Sequence, residues 1–326
     1  MTTTHIEPVA GDLLDIDLIS AQMSDVLGDD VTVVGARTIV WRPGSRGLFA
    51  YTVDRPSGRC RILGKHFRKP VRAKRLHDVW AALERADFGA AAGVPRFLGW
   101  CRDLNMVVYE RAPGRLLDAA IRHRGDQAPM GDIGRWLASL HASDVAPDRR
   151  FDLDKEVSNL AVWAGRVATA RPSHAASAEQ LLEQLAGMAQ HVRLSANAPI
   201  HKDFHHRHIV IGPRLVGLDF DEVRMGDPSL DVAHFCTYLR LLGIRVRTVA
   251  PIVPDLERRF LAGYAEATGW ARDDRFGFFA GYTCVKIAKQ LVHGSGVRPF
   301  PSHAECDRQL RLILEHGCAQ TRGSPT

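Results

Sequence analysis

The chain of 326 residues has only six cysteines, Cys60, Cys101, Cys236, Cys284, Cys306 and Cys318, and no two of them form a CxxC pair. They lie far apart and mostly within apolar runs, which excludes a disulfide framework and suits reduced core thiols in a cytoplasmic protein. No apolar run is long enough to span a bilayer, and residues 1–20 have neither a basic start nor a long apolar stretch. Neither a membrane partner nor a secretory leader is expected. Lysine and arginine exceed aspartate and glutamate by 6, but the arginines are scattered from Arg37 to Arg322, with no cationic stripe interleaved with aromatics. Nucleic acid is therefore not the expected partner, and the surplus leans towards an anionic small ligand such as a nucleotide. No internal repeat appears. With 45% hydrophobic and 25% charged residues, the chain is an ordinary globular protein long enough for two lobes.

Residues 12–27 read as a short helix. Strand character then takes over in three runs, VVGARTIVW, LFAYTV and CRILGKHF, separated by turns at 42–47 and 55–58, so three antiparallel strands are expected. A Gly/Ser loop such as Gly44-Ser45 can lay backbone N–H groups over phosphate oxygens, with Arg42 and Arg46 adding positive charge. An ordinary hairpin turn is the alternative. Lys65 lies between apolar neighbours in the third strand, where a point charge on a long stem suits a phosphate. A helix over 71–88 offers Asp78 and Glu84 as acids for Lys65, and the sequence does not decide between them. Two short strands, RFLGW and MVVYE, close the small sheet, and the lobe boundary falls near residue 112. Beyond it the period is helical, as in the stripe Ile133, Trp136, Leu137, Leu140 and His141. Further helices are expected at 150–195, 253–267, 275–293 and 303–316, with a disordered tail from 317.

Acids, imidazoles and glycines concentrate between Pro199 and Asp231, in the stretch PIHKDFHHRHIVIGPRLVGLDFDEVRMGDPSLD. The pattern reads as a loop, a strand over 208–211, a Gly-Pro turn, and a second strand over 215–220 that carries Asp219 at its end. Phosphoryl transfer needs two such carboxylates, one to orient and deprotonate the attacking hydroxyl and one to hold magnesium against the phosphates. Two solvated loop aspartates are the bland alternative. A zinc site is another, because His201, His205, His206 and His208 crowd around Asp203.

The runs HKDFHHRHIV and GLDFDEVRMGDPSLDVA resemble the catalytic and metal loops of the aminoglycoside phosphotransferase family, which includes choline kinase-like small-molecule kinases. WLASLH, VVYERAPGRLL and ILGKHF agree with it, so the resemblance runs from about residue 30 to about 316. It implies an α+β, protein-kinase-like two-lobed fold: an N-terminal extension over 1–30, a small antiparallel-β nucleotide lobe over 31–112 and a larger helical lobe over 113–316. It further implies ATP and Mg2+ as cofactors and a hydroxylated small molecule as acceptor. Asp203 would be the catalytic base, with His201 supporting the loop. Lys65 would contact the phosphates beside Gly44, Ser45 and Arg46, and the backbone of Glu110, Arg111 and Ala112 would receive adenine. Asp219 would bind the metal, and Asp231 would brace the catalytic loop. The family motif usually ends in Asn where this chain has His208, a nitrogen ligand that tolerates manganese or zinc better than magnesium. A nucleotide-binding pseudokinase is therefore the alternative to an active kinase.

Overall fold

The computed structural model describes residues 11–124, 128–194, 198–293 and 302–322. In chain order these form α1 (Ile16–Leu27), β1 (Thr32–Arg42), β2 (Arg46–Asp54), β3 (Cys60–Phe67), α2 (Pro70–Arg85), β4 (Ala92–Gly93), β5 (Phe97–Cys101) and β6 (Met106–Glu110). Next come β7 (Arg115–Leu116), α3 (Leu117–Arg124), α4 (Met130–Ala142), α5 (Leu153–Ala170), α6 (Ala175–Ala189), β8 (Ala198–Ile200) and β9 (Ile209–Ile211). The last are β10 (Leu215–Gly217), β11 (Arg224–Gly226), α7 (Ser229–Arg245), α8 (Val253–Thr268), α9 (Asp274–His293) and α10 (His303–Thr321). Two compact units result, one of Met1–Gly114 with Gly212–Asp221, the other of Arg115–Ile211 with Glu222–Thr326. The class is α+β, as expected.

The first unit is built on an antiparallel sheet in the order β1-β2-β3-β6-β5. Along β2, buried and half-buried residues alternate, so Phe49, Tyr51 and Val53 share one face. That face packs with Ile62, Met106 and Val108 against Ile19 and Met23 of α1. Full burial of each such side chain contributes roughly 1.5–3 kcal/mol. The α1 helix starts because Asp15 accepts the Asp17 and Leu18 N–H groups, and it stops at Gly28, whose φ of 61° favours glycine. This helix is part of the core, not an extension appended to it. The alternation sends Lys65 to the face opposite Ile62. From the later segment, β10 pairs parallel with β4. The ring of Phe220 lies 5.8 Å from Trp80 of α2, which fixes the residues around Asp219. The second strand is shorter than the 215–220 expected, ending at Gly217, because the left-handed φ of 63° at Asp219 cannot continue a strand.

The second unit is helical and centres on α7, buried on nearly all sides. Two strand pairs, β8 with β11 and β7 with β9, hold the ends of the 201–208 loop. Beneath it the rings of Trp136 and Phe204 stack at 5.4 Å, and Phe204 packs on Phe235. Helix α10 continues to Thr321, five residues into the expected disordered tail, because Gly317 and Cys318 are buried on this helix and Gly317 lies against Leu181 of α6 and Cys284 of α9. Helices α4 and α8 meet through glycines: a Cβ on Gly134 would stand 2.6 Å from Tyr264 N, and one on Gly263 would collide with the Gly131 backbone. Gly263→Ala should therefore destabilise by about 1–3 kcal/mol despite alanine's better helix propensity, read as a lower urea midpoint at unchanged m-value.

Candidate active site

In the first unit Lys65 is the organising charge. Its Nζ lies 2.5 Å from Asp219 Oδ1 and 2.6 Å from Asp221 Oδ1, and its side chain is 9% accessible. Burial works against the ammonium, but Asp219 and Asp221 outweigh it and hold its pKa above the ordinary value. Arg46 brings a second cation, its guanidinium 2.6 Å from Asp221 Oδ2. Neither acid offered from α2 is the partner. Asp78 pairs with Lys74 one turn away on the exposed side of the helix, and Glu84 accepts the Phe97 N–H.

The other nucleotide candidates are placed unevenly. Ser45 N–H donates to Arg42 O, and Ser45 O accepts from Arg68 N–H, so Gly44 and Ser45 shape a closed hairpin turn, with φ at 68° on Gly44. The Glu110 N–H donates to Arg96 O and the Arg111 N–H to Arg61 O, while the Glu110 carboxylate pairs with Arg96. Of this trio the Ala112 N–H has no hydrogen-bond partner among the described residues.

In the second unit the loop between β8 and β9 is held by Asp231, which has no solvent exposure. Asp231 accepts the N–H of His201 at 2.5 Å and of Lys202 at 2.7 Å, and a ring nitrogen of His141 at 3.1 Å. Burial alone would raise its pKa; the hydrogen bond from His141 reverses that, and the carboxyl sits below the ordinary range. Tyr264 hydrogen-bonds the other His141 nitrogen at 2.8 Å. The clasp sustains a left-handed Lys202, φ 64°, a conformation that costs a non-glycine residue about 1 kcal/mol or more. His201 Nδ1 then accepts the Asp203 N–H, and His208 Nδ1 donates to the Asp203 carbonyl at 2.8 Å.

Asp203 leaves this loop with 29% of its side chain accessible. Lys286 of α9 lies 2.8 Å from its Oδ1, and His234 Nε2 of α7 lies 3.3 Å from the same oxygen. Burial would raise the pKa of Asp203, but Lys286 and the adjacent His234 imidazole outweigh it, and the carboxylate stays ionised. Burial, aided by repulsion from Lys286, lowers His234 to about 4; burial and His208 push His205 well below its usual 6.5. Both rings are neutral at pH 7.

The expected crowd of imidazoles divides. His206 turns to Asp118, 3.2 Å away, and His201 serves the Asp203 amide. Ligand atoms of Asp203, His205 and His208 do lie within 4.8 Å of one another. However, His205 Nδ1 accepts the Arg207 N–H, which puts its proton on Nε2, and the two rings stack at 3.9 Å instead of converging on a point. With Lys286 already on Asp203, this is a poor zinc cradle. Lys286 and His234 were missed from sequence. Their signal was a charged or imidazole residue inside helices that otherwise bury nearly every position.

Against known families, the model of the "phosphotransferase enzyme family" matches residues 51–276, more than half of the chain. The chain belongs to this family. No curated protein matches this phosphotransferase. Among solved structures, it is similar to a thermostable mutant of the aminoglycoside phosphotransferase APH(4)-Ia, with a TM-score of 0.62 and 15% identity over 93% of this chain and 98% of that one. The choline kinase LicA from Streptococcus pneumoniae gives 0.62 at 14% identity, covering 93% and 98%. The amicoumacin kinase hAmiN, bound to AMP-PNP, Ca2+ and Ami, gives 0.59 at 17%, covering 86% and 88%. At these identities the likeness speaks for the fold. No helix among the described residues is long and apolar enough to cross a membrane.

Asp231→Asn should cost about 2–4 kcal/mol in urea unfolding, because an amide cannot accept from three donors as the carboxylate does. The depressed pKa of His234 and His205 means that the unfolded phosphotransferase binds more protons than the folded one below pH 6.5. Stability should therefore fall as pH drops from 6.5 towards about 4, where His234 itself titrates in the folded state. His234→Gln should flatten that slope in urea titrations at successive pH values, whatever it does to stability at pH 7.

Proposed function

We propose that this phosphotransferase is an ATP-dependent kinase that phosphorylates a hydroxyl group of a small molecule. The observation that carries the reading is Lys65, a buried ammonium placed on Asp219 within one sheet-based unit, with Arg46 alongside. Such a cation on a rigid strand suits the phosphates of a nucleotide, and Asp219 is then released to a metal ion. The Ala112 N–H is the donor available to adenine. In the second unit Asp203 is ionised and partly accessible on a loop that cannot drift. It orients the acceptor hydroxyl and takes its proton as the acceptor oxygen bonds to the γ-phosphorus and the bond to the β-phosphate oxygen breaks towards ADP. His201 acts through the loop, by its bond to the Asp203 amide. Similar structures bound to AMP-PNP support the choice of nucleotide.

The donor set admits a divalent ion with a qualification. Asp219 supplies the hard oxygen that magnesium prefers, whereas His208 donates Nδ1–H to the Asp203 carbonyl and so keeps its lone pair on Nε2. A metal on Asp219 would neutralise phosphate charge, and where a nitrogen replaces the family's usual Asn, as at His208, manganese is favoured over magnesium. The same histidine favours the second reading, a nucleotide-binding protein with little transfer.

Asp203→Asn should lower ATP consumption by about 10²–10⁴-fold while ATP still raises the melting temperature. Undiminished turnover would remove Asp203 from the chemistry. Lys65→Met should abolish the ATP-induced shift. His208→Asn should raise activity with Mg2+ relative to Mn2+; ATP binding with no consumption in either protein would favour the non-catalytic reading.

A further inference from the structure

The charges around Asp203 select among acceptors. A pocket for a cationic aminoglycoside would call for acids, and in this unit Asp152, Glu156 and Glu222 are already engaged. Asp152 caps α5 by accepting the Lys155 N–H, and Asp154 lies exposed in the first turn of that helix. Glu156 is buried and fully matched: Lys202 Nζ bonds Oε1, Arg224 lies 3.8 Å from it, and Tyr282 and Asn159 donate to Oε2 at 2.6 and 3.3 Å. Glu222 carries both Arg224, at 2.7 Å, and Arg149, at 3.1 Å.

Around the three acids Asp203, Glu156 and Glu222 the cations are in excess. Tyr282, Lys286 and Lys289 follow one another on one face of α9, beside the α5 face that carries Glu156, Asn159 and Trp163. Lys286 neutralises Asp203. Lys289 has no carboxylate partner among the described residues, and its ammonium lies 5.0 Å from the centre of the Trp163 ring. Against Asp203, Glu156 and Glu222 stand Lys202, Arg224, Arg149, Lys286 and Lys289. Mutual repulsion registers in their titration: burial lowers Lys202 to about 8, with Arg224 and Lys286 adding to it, and burial together with Lys286 lowers Lys289.

From this geometry, and resting on the kinase reading above, we infer that the acceptor is an anionic hydroxyl compound, a hydroxy acid or a sugar phosphate, whose anionic group is held by Lys289 with help from Lys286. A cationic amino sugar or amino alcohol would meet positive charge on the α9 face. An anion would find a lysine stiffened by an indole ring and not already bound to a carboxylate. Such an acceptor would also share Lys286 with Asp203, placing its hydroxyl beside the proposed base.

The test is ATP consumption by the full chain, with Mg2+ and with Mn2+, on three pools of hydroxylated compounds: hydroxy acids with sugar phosphates, neutral sugars with polyols, and aminoglycosides with amino alcohols. Consumption confined to the anionic pool is expected. For the acceptor found there, Lys289→Gln should raise KM about tenfold against a smaller change in kcat, the loss of one charge-assisted contact, and leave KM for ATP unmoved. Lys289→Glu should raise it further. Consumption of the neutral or cationic pool in preference overturns the acceptor class and leaves the kinase standing, as does an acceptor KM indifferent to both substitutions. ATP binding without consumption in any pool removes the kinase reading and this inference with it.

Discussion

Two consecutive backbone amides and one imidazole donate to the carboxylate of Asp231, and the site in the second unit depends on that convergence. A buried carboxylate is tolerated only when its lone pairs are filled by good donors, and here they are. The same bonds hold Lys202 in the left-handed region and so reverse the chain where Asp203 must leave it. Around this point His201, His208 and Phe204 each restrain a different part of the loop, through the Asp203 amide, the Asp203 carbonyl and the hydrophobic floor. The strain at one residue is thus sustained by contacts that would have little use otherwise.

The two carboxylates assigned to phosphoryl transfer are both kept against lysines, Asp219 against Lys65 and Asp203 against Lys286. Each pair is close and mostly shielded from water, where losing one partner is far worse than never having built the pair. The ammonium groups keep the carboxylates charged and aimed in the absence of ligands. Under the proposed assignment a nucleotide or an acceptor would arrive by exchanging partners with charges already in position, which would lower the reorganisation that binding requires.

Much of this was legible in the sequence. The strands β1, β2 and β3 and the helices α4, α8 and α9 emerged where the pattern put them, most clearly β2, which buries alternate residues. Asp203, Asp219 and Lys65 were candidates by residue type and position, and the family resemblance gave them, and Asp231, their expected roles. What sequence could not reveal was pairing across distance. Lys65 found its acids more than 150 residues away, through a parallel pairing of β10 with β4, and not on the adjacent helix. Lys286 came to Asp203 from a helix that local pattern described as core. The early end of β10 had no signal, since a left-handed aspartate looks like any other before the fold imposes it.

Gly134 and Gly263 set the gauge between α4 and α8, and those two rails carry His141 and Tyr264, the last links behind Asp231. Widening the gauge by a methyl group would draw the imidazole from beneath the carboxylate without touching a reacting atom. A lesion there would present as lost chemistry in a protein that still folds, so in this chain an inactive variant far from the loop is as informative about architecture as about catalysis.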